Sequence, residues 1–235
     1  MLAALTRSRR GRERLISGVS VTRAVFLDAL GTLIEMEPPW RYLRSVVPDE
    51  VDDELLVAAV KTEMAYYKAH AHEGRDTESL AELRARCARV LSDELGVEVG
   101  VDELVEAVQM WSYPDSEPAL RSLRDHDLGI VVVSNWDCSL SDVLERCGLD
   151  DLLDGAVSSA EAGARKPDPA IFGPALELAG CETAEALHVG DTAEEDVEGA
   201  RAAGIPVLLL DREGEGADRH AAPTIASLTE ILEHL

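Results

Sequence analysis

The sequence predicts an α/β protein built on a parallel sheet, and two observations indicate this class. Short apolar runs that end in polar residues recur along the chain, as expected for buried strands followed by turns. Helical apolar spacings separate the later runs, and strands that alternate with helices typically form one parallel sheet. The predicted strands are 24–28, 129–134, 155–158, 186–191 and 206–210, and the later helices are 140–147, 169–179 and 194–203.

The stretch between the first two of these strands has a different pattern. We predict no strand there and three long helices, at 52–70, 77–95 and 101–111. Thr77 precedes a run of apolar residues at i, i+3 and i+4 spacing and is the predicted N-cap of the second helix. Prolines mark both ends of the stretch. We therefore expect an all-α insert at 38–113 within a core formed by 21–37 and 114–235.

Composition excludes two classes of function. The 235 residues carry 46 acidic and 22 basic side chains, a formal net charge of −24, so the protein repels nucleic-acid phosphates. Aromatic residues make up 4% of the chain, which leaves little material for stacking against bases. No apolar run approaches the roughly 18 residues that span a bilayer. We expect a small-molecule substrate, with neither a nucleic acid nor a membrane as partner.

The cysteines and the first residues bear on where the protein acts. Four widely spaced cysteines without a C-x-x-C pair argue against a disulfide framework and a zinc site, and predict a cytoplasmic protein. Residues 1–20 hold five arginines against one glutamate, without the apolar core of a signal peptide. We expect this stretch to be a disordered basic tail, or the product of a start codon assigned too early.

Polar features follow the predicted strands at the sheet edge where ligands bind in open parallel sheets. Asp28, with Gly31 three positions later, places a carboxylate where a reacting group can approach the backbone closely. Ser134 and Asn135 offer a hydroxyl group and backbone amides to an anion. Lys166 lies just before a predicted helix whose N-cap is Asp168.

The fourth feature is a pair of acids after the strand at 186–191. Asp191 follows Gly190, and Asp196 comes five positions later at the start of a predicted helix. Two carboxylates on such a loop suit a hard cation such as Mg²⁺. Each feature taken alone also fits ordinary structure, namely a strand-to-turn boundary, a common turn or an acid-rich helix start.

The order and spacing of Asp28, Ser134, Lys166 and the Asp191–Asp196 pair resemble the four motifs of the haloacid dehalogenase (HAD) superfamily. The resemblance extends from about residue 21 to residue 210. The insert at 38–113 resembles that family's helical cap. The resemblance therefore implies a Rossmann-like parallel sheet core with an inserted all-α cap.

The resemblance also implies roles for individual residues. Asp28 would be the nucleophile that forms a covalent aspartyl intermediate, and Lys166 would offset negative charge around it. The implied substrate-binding residues are Gly31, Thr32, Ser134, Asn135 and Lys166. The implied ligands of Mg²⁺ are Asp28, the backbone carbonyl of Leu30, Asp191 and Asp196, the last directly or through water.

One position departs from the family pattern. Family phosphatases usually carry a second Asp two positions after the nucleophile, where it protonates the leaving group, and this chain has Leu30 there. General acid–base help is worth about 10²–10⁴-fold, so alkyl phosphates should suffer most from its loss. The retained Asp191 and Asp196 favour a Mg²⁺-dependent phosphatase, acting on a small phosphorylated metabolite as a monomer or homodimer.

Leu30 keeps three alternatives open. The first is a metal-independent 2-haloacid dehalogenase, whose leaving halide needs no proton. The second is a phosphonate-cleaving hydrolase that uses a cap lysine, Lys61 or Lys68, as a Schiff base. The third is a HAD-fold binding protein with little turnover.

Overall fold

The computed structural model describes residues 21–214 and 222–235, so the predicted tail at 1–20 lies outside the described residues. The strands are β1 (Ala24–Leu27), β2 (Ile34–Met36), β3 (Met110–Ser112), β4 (Gly129–Ser134), β5 (Gly155–Ser158), β6 (Ala186–Gly190), β7 (Val207–Leu210) and β8 (Thr224–Ile225). The α-helices are α1 (Trp40–Leu43), α2 (Asp53–His70), α3 (Thr77–Leu95), α4 (Val101–Ala107), α5 (Ser116–Asp125), α6 (Leu140–Arg146), α7 (Ser159–Ala162), α8 (Phe172–Ala179) and α9 (Glu198–Ala202).

Six strands form one sheet in the order β5-β4-β1-β6-β7-β8, and every neighbouring pair is parallel. Strand β1 lies between β4 and β6, with Val25 paired to Ile130 on one side and to Leu187 on the other. All four residues of β1 are buried, as is typical of a parallel sheet covered on both faces. The predicted α/β class is confirmed.

Alternate residues of β1 enter separate cores on the two faces of the sheet. Val25 and Leu27 pack into a hydrophobic cluster that includes residues of α5 and α6. Ala24 and Phe26 pack into a second cluster that includes residues of α8 and α9. Burial on both faces fixes the carboxyl ends of the central strands beside one another, which is where the polar motif residues emerge.

Helices α1–α4 form a third hydrophobic cluster. The buried residues that α2 and α3 contribute to it are Leu56, Ala59, Val60, Leu83, Cys87, Ala88, Leu91 and Leu95. The helix predicted at 77–95 is confirmed, but its N-cap is Asp76 rather than Thr77. The Asp76 side chain accepts a hydrogen bond from the backbone N–H of Ser79, whose hydroxyl group accepts one from the N–H of Asp76. This reciprocal capping box satisfies two helix-end donors at once.

Strand β3 corrects the expectation that 38–113 contains no strand. It pairs antiparallel with β2, so that Trp111 lies opposite Glu35. The helix predicted at 101–111 accordingly ends at Ala107. Each strand of this ribbon has three residues and pairs with a segment far away in the chain, so no local periodicity marks it. The ribbon connects the helical segment to the sheet.

Two helices near the carboxyl edge of the sheet begin later than predicted. A 3₁₀ turn (Pro169–Ile171) precedes α8, and a π-helical turn (Ala193–Val197) precedes α9. Asp168 caps the first of these turns as predicted, because its side chain accepts from the N–H of Ala170. Within the described ranges, no helix is both long and apolar enough to cross a membrane.

Candidate active site

The residues predicted to carry chemistry converge at the carboxyl edge of the sheet. Asp28 follows β1, Ser134 ends β4, and Asp191 follows β6. Lys166 reaches the same place from the segment between α7 and α8, and Asp196 reaches it from the π-helical turn before α9. Because β4, β1 and β6 are neighbours in the sheet, the three strand ends lie side by side.

Asp28 is held by groups from three parts of the chain. Its backbone N–H donates to the carbonyl of Val189 at 2.9 Å. Its Oδ1 accepts from Ser134 Oγ at 3.0 Å and from Lys166 Nζ at 2.5 Å. The residue is only 7% exposed. These contacts fix the direction in which the carboxylate points.

Lys166 is one of the largest fully buried side chains and bridges two carboxylates. Its Nζ donates to Asp28 Oδ1 and, at 2.6 Å, to Asp196 Oδ1. Burial alone lowers the pKa of an ammonium group, but the two carboxylates outweigh that effect and raise the pKa of Lys166 above its ordinary value. The side chain therefore stays charged, and the pairing offsets the cost of burying it.

The two carboxylates on Lys166 differ in pKa. Burial, with added repulsion from the nearby acids Asp196 and Asp191, raises the pKa of Asp28 to about 6 against the lowering effect of Lys166. Burial also acts on Asp196, but Lys166 and His188 together hold its pKa well below its ordinary range. Asp196 is thus the firmly ionised member of the pair.

Two glycines make the close approach of these acids possible. Gly31 has a φ of +87°, and a Cβ there would overlap the Asp191 carboxylate. A Cβ at Gly190 would overlap the carboxylate of Asp196. Any side chain at these positions would push the acids apart. The glycines predicted at the motif turns therefore have a direct steric role.

Three carboxylates form a group of suitable size for a metal ion. Asp28, Asp191 and Asp196 each offer an oxygen, and these atoms lie within 4.8 Å of one another. Both Asp196 oxygens already accept hydrogen bonds, Oδ1 from Lys166 and Oδ2 from the N–H of Thr192. Asp191 is exposed at the surface, and partial desolvation together with Asp196 raises its pKa.

The remaining predicted residues lie around this group in different ways. Leu30 forms an isolated β-bridge with Ile34, and 36% of its surface is exposed. Thr32 is fully buried, its backbone carbonyl accepts from Arg212, and its Oγ1 has no hydrogen-bond partner within 21–214 and 222–235. The Asn135 side chain binds the Lys166 backbone in both directions, accepting from its N–H at 2.7 Å and donating to its carbonyl at 3.0 Å.

Sequence reasoning missed two residues that contact the site. His188 is fully buried in β6, where its Nε2 lies 2.9 Å from Asp196 Oδ1. The only signal for it was a histidine inside an apolar strand. Glu195 accepts from Asn135 Nδ2 at 3.1 Å and pairs with Lys68 and Arg165. Its position among three neighbouring acids gave no sign that it differs from them.

The family model for haloacid dehalogenase-like hydrolases matches residues 22–204. Phosphatase MT3486 of Mycobacterium tuberculosis is 36% identical over 163 residues, which cover 67% of this chain and 73% of that protein. Haloacid dehalogenase-like hydrolase domain-containing protein 3 of Bos taurus is 38% identical over 128 residues, 51% of each chain. This chain thus spans about half the length of that bovine relative.

Among solved structures, L-2-haloacid dehalogenase from Xanthobacter autotrophicus superposes with a TM-score of 0.71 at 22% identity, covering 91% of this chain and 98% of that one. At this identity the likeness shows the fold alone. The family model matches most of the chain and therefore shows its family as well as its fold. The chain belongs to the haloacid dehalogenase-like hydrolases.

Proposed function

We propose that this hydrolase is a Mg²⁺-dependent phosphatase that uses Asp28 as its nucleophile and acts on a small phosphorylated metabolite. The observation that carries the proposal is the group formed by Asp28, Asp191 and Asp196, whose oxygens lie within 4.8 Å of one another. A leaving halide needs no cation to neutralise it, whereas a divalent cation held by such carboxylates neutralises the charge on a transferring phosphoryl group. The similarity to a mycobacterial phosphatase supports the same reading.

In the proposed reaction, an oxygen of Asp28 attacks the phosphorus atom and the bond from phosphorus to the leaving oxygen breaks. The leaving group departs with the bonding electron pair, and an aspartyl phosphate remains on the enzyme. Water then attacks the phosphorus, the bond from phosphorus to Asp28 breaks, and a proton that the water loses reaches the leaving group through solvent. The products are the protonated leaving group, inorganic phosphate and free Asp28. Ser134 and Lys166, which both contact Asp28 Oδ1, orient the nucleophile, and Lys166 offsets the negative charge of the phosphoryl group.

The residues fit a bound Mg²⁺. Oxygen ligands suit this cation, and the absence of side chains at Gly31 and Gly190 allows the acids to come close together. We propose that Asp28, Asp191 and the carbonyl of Leu30 bind the ion and that Asp196 supports it through water, since both Asp196 oxygens already accept hydrogen bonds. When bound, Mg²⁺ neutralises charge on the transferring phosphoryl oxygens.

The proposal also gives the helical segment a role. We propose that residues 38–113 are a cap over a core formed by 21–37 and 114–235, and that they set which substrates enter. Lys68 supports this arrangement, because its Nζ lies 3.2 Å from Glu195 beside the site. We place the enzyme in the cytoplasm, because none of its four cysteines forms a disulfide bond.

Turnover assays on a panel of alkyl, aryl and acyl phosphates, with and without Mg²⁺, test the proposed function. We expect phosphate release that stops when a chelator is added and returns with excess Mg²⁺. Activity unaffected by the chelator would contradict the proposal. Short 2-haloacids belong in the same panel, because Leu30 cannot donate a proton and so favours a leaving group that needs none. Release of halide without phosphate release would identify a dehalogenase instead.

A further inference from the structure

Glu195 stands at the meeting point of the helical segment and the active-site loops. It lies in the π-helical turn before α9, and only 19% of its side chain is exposed. Its Oε1 pairs with Lys68 Nζ of α2 at 3.2 Å and with an Arg165 guanidinium nitrogen at 3.6 Å. Its Oε2 accepts from Asn135 Nδ2 at 3.1 Å. The two oxygens of the Glu195 carboxylate therefore bind different groups: Oε1 binds the two cations, and Oε2 binds the Asn135 amide.

Asn135 connects Glu195 to the buried ammonium group. Its Oδ1 accepts from the Lys166 N–H at 2.7 Å, and its Nδ2 donates to the Lys166 carbonyl as well as to Glu195. A side chain that binds one residue in both directions fixes the backbone of that residue. The Lys166 side chain then reaches Asp28. A continuous series of contacts thus runs from α2 to the proposed nucleophile.

We propose that Glu195 is a positioning residue that ties α2 to Lys166 through Asn135. With Lys68 and Arg165 on one of its oxygens, Glu195 presents the other to Asn135 in a single orientation. Asn135 in turn holds Lys166 where its ammonium group meets Asp28. The part of this proposal that concerns catalysis rests on the proposed function. The part that concerns Asn135 stands on the contacts alone.

The composition of the chain provides a direct spectroscopic probe. Asn135 is the only asparagine and Gln109 the only glutamine among the 235 residues. A ¹H–¹⁵N spectrum of the labelled protein therefore contains two pairs of side-chain amide resonances. Gln109 donates to the carbonyl of Glu106, away from Glu195, so its pair is an internal reference. The Asn135 pair reports the hydrogen bond to Glu195 without any substrate.

The variants are Glu195→Ala, which removes the contacts with Lys68, Arg165 and Asn135, and Lys68→Met, which removes only the contact with α2. The matched control is Lys61→Met, the same change on an exposed lysine of the same helix, about 10 Å along the axis. Lys68 is 58% exposed, so its variant should fold. Tyr67 keeps α2 in place, because its hydroxyl group donates to Asp137 at 2.8 Å.

We expect Glu195→Ala to shift the Asn135 pair and to speed its exchange with water, while the Gln109 pair stays unchanged. Lys68→Met should cause a smaller shift in the same direction, and Lys61→Met should cause none. An Asn135 pair that keeps its wild-type position and exchange rate in Glu195→Ala would overturn the proposal. Equal effects of Lys68→Met and Lys61→Met would also overturn it, because α2 would then have no link to Asn135 through Glu195.

Kinetics on a phosphate ester test the consequence for catalysis. Glu195→Ala should lower kcat by about 10-fold or more with a smaller change in KM, since misplacing a catalytic group slows the chemical step. Glu195→Gln keeps an oxygen for Asn135 and should recover part of the loss. Equal kcat values for wild type and Glu195→Ala would contradict the link to Lys166. If the wild type releases no phosphate, the proposed function fails, and the spectrum still decides whether Glu195 holds Asn135.

Discussion

Lys166 Nζ lies 2.5 Å from Asp28 Oδ1, although 138 positions separate the two residues and both are buried. Charged groups removed from water stabilise a fold only when they are closely paired and hydrogen-bonded. Here a second carboxylate, Asp196, contacts the same ammonium group, and His188 Nε2 lies 2.9 Å from the same Asp196 oxygen. The site therefore depends on the balance of its charges as well as on its shape.

The first prediction concerns this balance. Lys166→Met should lower the free energy of unfolding by about 3–5 kcal/mol, because Asp28 and Asp196 would be left buried without their cation. Adding Asp196→Asn to Lys166→Met should restore part of the loss. Urea denaturation of the four proteins in this cycle measures both effects. A Lys166→Met variant as stable as the wild type would show that the ion pair contributes nothing.

The second prediction tests the nucleophile. Asp28→Asn should reduce turnover to about 1% of wild type or less while the protein stays folded, because the amide has the same shape but cannot attack phosphorus. The measurements are steady-state phosphate release and a thermal melt. Asp151→Asn, the same change at an exposed position, is the control. Retained activity in Asp28→Asn would mean that another group is the nucleophile.

The third prediction concerns the metal. Mg²⁺ should raise the Tm of the wild type, because a ligand that binds only the native state stabilises it. Asp191→Ala should remove this shift, and Asp93→Ala, which removes an exposed carboxylate on α3, should keep it. Differential scanning fluorimetry across a Mg²⁺ titration provides the comparison. Equal shifts in both variants would place the ion elsewhere.

The fourth prediction concerns Leu30. Leu30→Asp should supply the missing acid and raise kcat on alkyl phosphates, with a gain toward the lower end of about 10²–10⁴-fold. Rates on aryl and acyl phosphates should change much less, because their leaving groups need little protonation. The quantity to compare is the alkyl-to-aryl ratio of kcat/KM, with Leu30→Asn as the uncharged control. An unchanged ratio in a folded, Mg²⁺-binding Leu30→Asp variant would show that proton donation is not limiting.

The fifth prediction concerns Glu63, which is buried on α2 near Cys87. Burial raises the pKa of Glu63, so the folded protein holds its proton more tightly than the unfolded chain. The stability that Glu63 contributes is present at acid pH and is lost as pH rises through the folded pKa.

Glu63→Gln should therefore stabilise the protein at pH 8, by about 1–3 kcal/mol, and have little effect at pH 4. Denaturant unfolding at the two pH values measures this difference. Glu54→Gln, an exposed position on the same helix, should be neutral at both. A loss of stability for Glu63→Gln at pH 8 would contradict the assignment of a buried, destabilised carboxylate.

Local sequence patterns were enough to predict most of the fold. The apolar runs of β1, β4 and β6 are buried on both faces, so their composition differs from that of the surrounding chain. The ribbon of β2 and β3 was missed because each strand has three residues and is stabilised by a distant partner. The π-helical turn before α9 was missed because the spacing of apolar residues in the sequence does not distinguish a π-helical turn from an ordinary α-helix.

The site, too, was predicted only in part from the sequence. The sequence by itself placed Asp28, Ser134 and Asp191 at strand ends, and they meet because the carboxyl ends of parallel strands share one edge. Lys166 and Asp196 join them from the segments before α8 and α9. Only the tertiary structure decided that Asp196 contacts Lys166 and His188, and that Glu195 rather than its neighbouring acids reaches Asn135. These contacts depend on side-chain directions and on distances between segments far apart in the chain, which no local sequence pattern encodes.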